Sequence, residues 1–172
     1  TPTGLLEILR LMGADIRLLA PRDYGGEPVA DLEIRPGPLR GIAVPHELVA
    51  SAIDEFPVLF AAAAVASGET LVTGAAELRV KESDRISVMA EGLQRVGVHA
   101  EVLPDGIRIR GGAAGGGIIE SRGDHRIAMS FAVLAARAGK PVVIRDVRYV
   151  APSFPDFAAT ARSAGLLLAE EA

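Results

Sequence analysis

At 172 residues and 49% hydrophobic, the chain carries enough apolar side chain to bury a substantial core, in one domain or a small pair. A net charge of −4, two tyrosines and no tryptophan argue against a nucleic-acid binder, which needs a basic field and stacking platforms. Without cysteine, and with three scattered histidines, neither a disulfide framework nor a zinc cluster is expected; no signal peptide is evident and the longest apolar stretch, 56–67, is shorter than the roughly 20 residues of a membrane span, so a soluble cytoplasmic protein is expected.

Helical apolar spacing runs first to Met12 and closes on Gly13, a residue able to take the left-handed conformation that ends helices. A strand at 15–19 should pair with one at 31–34 across a loop containing Tyr24-Gly25-Gly26. An alanine-rich helix is predicted over 53–67, closed by Gly68 and followed by a strand at 70–72. The charged run Arg79-Val80-Lys81-Glu82-Ser83-Asp84-Arg85 opens the next helix, which ends at Gly97. Strands at 100–103 and 107–110 flank Pro104-Asp105-Gly106, a turn signal. Gly111-Gly112 and Gly115-Gly116-Gly117 open no helix and bring no P-loop lysine, so they read as a flexible linker rather than a nucleotide loop. A second alanine-rich helix spans 125–138, closes on Gly139 and precedes a strand at 141–144; a last helix ends at Gly165.

These elements repeat. The two alanine-rich helices close on glycines 71 residues apart (68 to 139), an offset that places Asp54 on His125 and Lys81 on Pro152. The pattern divides the chain into a partial unit 1–43 and two further units, 44–112 and 113–172. Starting mid-repeat and without an initiator methionine, the chain is expected to be part of a longer polypeptide. If the units pack about a pseudo-symmetry axis, helix starts at Asp54, Lys81–Arg85 and His125 converge, and their positive ends would form an anion pocket.

Each charged cluster also has a plainer reading. Lys81 and Arg85, at i and i+4 on a helix, would repel by roughly 0.2–0.5 kcal/mol unless an anion lay between them; equally, Glu82 can pair with Arg85 in an ordinary surface salt bridge worth about 0–1 kcal/mol. Asp124 before His125 and Arg126 is a favoured N-cap, and either Asp54 or Glu55 can serve the dipole of the helix that follows.

Taken together and in this order, Leu78-Arg79-Val80-Lys81-Glu82-Ser83-Asp84-Arg85, Gly123-Asp124-His125-Arg126-Ile127-Ala128-Met129 and Ser153-Phe154-Pro155-Asp156-Phe157 resemble the C-terminal part of the 5-enolpyruvylshikimate-3-phosphate synthase family, over about 4–168. Val44-Pro45-His46, Ile53-Asp54-Glu55-Phe56-Pro57 and Glu77-Leu78-Arg79 are most similar to its bacterial class II branch. The resemblance implies an α/β (α+β) enolpyruvyl transferase fold of two domains. Each domain holds three βαβαββ units in pseudo-threefold arrangement, with the site in the cleft between the domains. This chain would be most of one domain, its N-terminal partner domain absent.

The implied reaction transfers the enolpyruvyl group of phosphoenolpyruvate to the 5-hydroxyl of shikimate 3-phosphate and releases phosphate, a step of aromatic amino-acid biosynthesis. It needs no cofactor or metal, and the isolated chain would be inactive; the full-length protein would be a monomer. By resemblance, Asp54 contacts the reacting hydroxyl and Glu82 handles the methylene proton. Arg85 and Arg126 bind the phosphoenolpyruvate carboxylate, Lys81 contacts shikimate 3-phosphate, and His125 lies near the reacting carbons. Glu77 stands where many members carry an asparagine on the shikimate hydroxyls, and Pro152 where many carry a phosphate-binding lysine. The alternatives are the sister transferase acting on UDP-N-acetylglucosamine, against which the Lys-Glu-Ser-Asp-Arg and Asp-His-Arg-Ile-Ala-Met strings argue, and a non-catalytic anion-binding domain.

Overall fold

In the computed structural model, which describes residues 3–169, the spacing of Leu5, Ile8, Leu9 and Met12 winds the first segment into α1 (Gly4–Leu11), with Ile8 and Met12 fully buried. Gly13, at φ 101°, ends it as expected. Strands β1 (Asp15–Tyr24) and β2 (Glu27–Arg35) pair antiparallel from Asp15↔Arg35 to Tyr24↔Glu27. The loop expected between two short strands is therefore ladder almost to its tip. Gly25 and Gly26 both take positive φ, and such a two-residue turn matches strand twist. Only an irregularity between Leu19 and Arg22 interrupts it.

Helix begins earlier than the periodicity predicts. After Pro45 a continuous helical run comprises α2 (His46–Val49), a 3-10 segment (Ala50–Glu55) and α3 (Phe56–Val65). Asp54 thus lies inside the run, where 3-10 winding becomes α, and not at a helix start. Neither Asp54 nor Glu55 caps α3 with its side chain, because the preceding turns already supply the backbone with partners. The run of 20 residues, His46–Val65, is long and apolar enough to cross a bilayer, longer than the dozen residues expected from sequence. It is nevertheless half buried within the protein, and α3 packs Phe56, Leu59, Phe60 and its alanines against α4 and α5, the pattern of a core helix.

Next come β3 (Glu69–Val72), a 3-10 turn (Ala76–Val80), α4 (Arg85–Arg95), β4 (His99–Leu103) and β5 (Gly106–Arg110). The three strands form an antiparallel sheet in the order β3-β5-β4. A further correction concerns Lys81, whose backbone is extended. Residues 81–84 form an arch, and α4 starts only at Arg85 because Asp84 caps it, its Oδ1 accepting from the Ser87 N–H at 3.1 Å. Lys81 and Arg85 are therefore not an i,i+4 pair on one helix.

The glycine-rich segment is pinned, not a flexible linker. Gly111, Gly112 and Gly115 donate backbone hydrogen bonds to Gly68, Ala64 and Val96, and a Cβ on Gly111 would sit 2.1 Å from the Ala66 carbonyl oxygen. Beyond it, β6 (Gly117–Glu120) and β7 (Val142–Arg145) pair in parallel around α5 (His125–Ala135), followed by α6 (Val150–Ser153) and α7 (Phe157–Ser163). Phe131 of α5 seats its ring on Gly92 of α4, where a Cβ would lie 2.3 Å from Cζ. That contact draws together the elements that carry the charged clusters.

Candidate active site

The N-termini of α4 and α5 and the 3-10 to α junction at Asp54 meet around one buried guanidinium. Arg85, 1% exposed, donates from Nε to Asp124 Oδ2 at 2.9 Å, from Nη1 to Asp54 Oδ1 at 3.2 Å and from Nη2 to Glu82 Oε2 at 2.5 Å. Asp124 is fully buried. Its Oδ1 accepts from the Arg126 and Ile127 N–H groups, capping α5, while its Oδ2 also takes the Ser83 hydroxyl at 3.0 Å. The cap read from sequence is thus present, and the same carboxylate is a counter-ion of Arg85. Sequence reasoning missed this second role and that of Ser83, because neither partner lies near Asp124 in the chain.

On the outer side, Lys81 Nζ lies 2.5 Å from Glu77 Oε1 and 3.5 Å from Asp54 Oδ1. Arg126 donates to the Asp54 backbone carbonyl at 2.8 Å and lies 3.9 Å from Glu55. Partial burial pushes the Asp54 carboxyl up, but the Arg126, Lys81 and Arg85 charges together outweigh it and hold the group below its ordinary range. The hydrogen bond to Glu77, helped by Asp54, holds the Lys81 ammonium above its usual value.

Six of the seven expected site residues are therefore linked directly: Asp54, Glu77, Lys81, Glu82, Arg85 and Arg126. His125 is the first residue of α5 and half-buried, and among the described residues its side chain makes no hydrogen bond or ion pair. Pro152 lies exposed in α6. Beside the cluster runs a groove of about 260 Å³ lined by Asp54, Glu55, Arg126, Met129, Phe154 and Phe157, among others. A larger concavity, about 430 Å³, is formed by Arg162 and residues 166–169; it holds no comparable acid–base grouping.

Chemically, the arrangement offers guanidinium and ammonium groups for anions, with two partly exposed carboxylates, Asp54 and Glu82, for proton transfer. All three cations already face carboxylates. An incoming anion must displace Asp54 or Glu82 from the outer edge of Arg85, whereas the buried Nε–Asp124 pair can stay.

The family model for EPSP synthase (3-phosphoshikimate 1-carboxyvinyltransferase) matches residues 2–160. The chain belongs to the EPSP synthase family. A 3-phosphoshikimate 1-carboxyvinyltransferase from Methylococcus capsulatus is 61% identical over 166 residues, covering 96% of this chain and 38% of its own length. One from Alkalilimnicola ehrlichii is 60% identical over 169 residues, covering 98% and 38%. The chain thus spans a little over a third of these relatives. The EPSP synthase structure from Acinetobacter baumannii superposes with a TM-score of 0.92 at 51% identity, over 95% of this chain and 39% of that one. NikO of Streptomyces tendae, an enolpyruvyl transferase, agrees in fold alone, with a TM-score of 0.63 at 18% identity over 95% of this chain and 35% of that one. The mixed α/β architecture is the enolpyruvyl transferase fold expected from the motifs. Membership of the EPSP synthase family also favours that branch over the UDP-N-acetylglucosamine transferases.

Proposed function

We propose that this chain, within its full-length protein, forms one wall of a site that transfers the enolpyruvyl group of phosphoenolpyruvate to the 5-hydroxyl of shikimate 3-phosphate. The observation that carries the reading is Arg85, a buried guanidinium with Asp54 and Glu82 both within hydrogen-bond distance. On this reading the guanidinium is an anion receptor and the two carboxylates beside it are proton carriers. In the addition step the hydroxyl oxygen bonds to C2 of phosphoenolpyruvate, the hydroxyl proton passes to a base and C3 gains a proton. In the elimination step C3 loses a proton and the C2–O bond to phosphate breaks.

Asp54 is the group for the hydroxyl and Glu82 for the methylene carbon. Arg85 and Arg126 take the phosphoenolpyruvate carboxylate, Lys81 contacts shikimate 3-phosphate, Glu77 accepts from its hydroxyls, and His125 flanks the reacting carbons. A carboxylate held below its ordinary range is a weak base. Substrate anions, however, would engage the same three cations that hold Asp54 low, so loading the site raises its basicity when it is needed. With proline at position 152, the phosphate must draw its cations from elsewhere, and a complementary domain of the same protein supplies them. On this reading 1–172 is most of one domain, built of the partial unit 1–43 and the units 44–112 and 113–172, in a monomeric cytoplasmic enzyme.

The test is phosphate release by the full-length protein given phosphoenolpyruvate with shikimate 3-phosphate or with UDP-N-acetylglucosamine, beside a Glu82→Ala variant. Release with shikimate 3-phosphate alone, lost by roughly 10²-fold or more in the variant, is expected. Release with neither acceptor would refute the reading and leave an anion-binding domain.

A further inference from the structure

The charged run that opens with Arg79 contains one cation that the proposed reaction leaves unused. Arg79 makes no hydrogen bond or ion pair with Asp54, Glu82 or Arg85. It donates from Nε to the Pro104 carbonyl at 2.9 Å and from Nη2 to the Leu103 carbonyl at 2.6 Å, both at the β4–β5 turn. Its Nη1 donates to Asp84 Oδ2 at 2.7 Å and to Ser87 Oγ at 3.3 Å. Every nitrogen of the fork is used, on a side chain about a quarter exposed. The same turn also takes the Gly74 N–H on Asp105 Oδ2 and the Ala75 N–H on the Asp105 carbonyl, both at 2.7 Å. Residues 74–79 are thereby fastened to 103–105.

The consequence lies between Arg79 and Asp84. Residues 81–84 arch from the 3-10 turn, whose last residue Val80 is 81% exposed, to the start of α4, and they carry both Lys81 and Glu82. The Arg79–Asp84 ion pair closes the base of this arch, and Asp84 is at the same time the cap of α4. We propose that Arg79 is a positioning residue, which by joining the β4–β5 turn to Asp84 fixes where the arch presents Glu82 and Lys81 to the site. The assignment of what Glu82 does rests on the proposed enolpyruvyl transfer; the staple itself does not. A lysine in its place keeps the charge but has no planar fork to reach two carbonyls and a carboxylate together, and a displacement of about 1 Å at a reacting group can lower a rate by about 10²-fold.

Two measurements on the full-length protein test this. In phosphate release with phosphoenolpyruvate and shikimate 3-phosphate, Arg79→Lys should lower kcat by at least about tenfold, and the same substitution in a Glu82→Gln background should add clearly less, because only the share that passes through Lys81 is then left. A wild-type rate for Arg79→Lys, or an equal penalty in both backgrounds, would overturn the proposal. Amide exchange gives a reading independent of turnover: in Arg79→Ala the Ser87 amide, bonded to Asp84, should exchange about tenfold faster, while the Arg126 and Ile127 amides on Asp124 stay unchanged. Unaltered exchange at Ser87 would remove the staple whatever the activity. Altered exchange in a protein that releases no phosphate would leave the staple standing and defeat the proposed reaction instead.

Discussion

Substitution of Asp124 separates two roles that one buried carboxylate performs. Asparagine has nearly the same shape and remains a good N-cap, so Asp124→Asn keeps an acceptor for the Arg126 and Ile127 N–H groups while removing the charge beside Arg85 Nε. Breaking a buried ion pair on one side costs about 3–5 kcal/mol. Arg85 retains Asp54 and Glu82, which are partly exposed, so the lower end of that range, about 3 kcal/mol, is expected. Asp124→Ala loses the cap as well, a further ~1 kcal/mol. Urea unfolding of the chain followed by far-ultraviolet circular dichroism reads both; with a slope of about 2 kcal/mol per molar, the midpoint should fall by about 1.5 M for asparagine and about 2 M for alanine. Removing both charges, in Arg85→Met with Asp124→Asn, should cost less than Asp124→Asn alone, since no buried charge is then left uncompensated. An asparagine variant within about 1 kcal/mol of the parent would refute the claim that this pair is a buried, mutually dependent unit.

Two further outcomes follow from the geometry. Asp54 and Asp84 both titrate below the ordinary carboxylate value of 3.8 in the folded chain. For each, burial opposes the shift; the cations outweigh it at Asp54, and the Ser87 hydrogen bonds with Arg79 outweigh it at Asp84. Their contribution to stability is therefore present above about pH 4 and lost as pH falls through their lower folded values, so Asp84→Asn should flatten the acid limb of a stability–pH curve, and an unchanged limb would contradict the assignment. Lys81 titrates above 10.5; its contribution is complete below that pH and fades as pH rises through the raised value. Gly92→Ala improves helix propensity by about 1 kcal/mol, yet its Cβ would lie 2.3 Å from Phe131 Cζ. Overpacking of that kind costs about 1–3 kcal/mol, so thermal unfolding should show no gain in Tm, and a clear rise would mean that α4 and α5 are less tightly apposed than this.

Local signals in the chain located most of the elements. Glycines at 13, 68, 97 and 165 all take positive φ after helices or at turns, where the periodicity places them. What was misjudged has two sources, local signals that were outweighed and neighbours distant in sequence. The helical run began at His46 rather than near Ile53, since Pro45 marks its start more firmly than the alanine-rich spacing does. The segment of glycines looked mobile because five of them crowd residues 111–117, but their lack of Cβ is what lets the backbone press on Ala66 and Pro141. Asp84, capping α4 three residues before Ser87, carried a helix-start signal that would have excluded Lys81 from that helix.

The sequence by itself determined the family and the fold class, and it named six of the residues that meet around Arg85, because the three motif strings and the helix-ending glycines express local backbone preference and side-chain chemistry that survive without a partner in view. Only the tertiary structure decided how those residues pair: that Arg85 is shared among Asp54, Glu82 and Asp124, that Arg79 faces the β4–β5 turn, and that Lys81 stands on an arch. Charge pairing depends on which helix ends the core brings together, and here Phe131 packed on Gly92 and α3 packed on α5 set those distances. Of these pairings, the spacing along the chain encodes only Glu82 with Arg85, three residues apart.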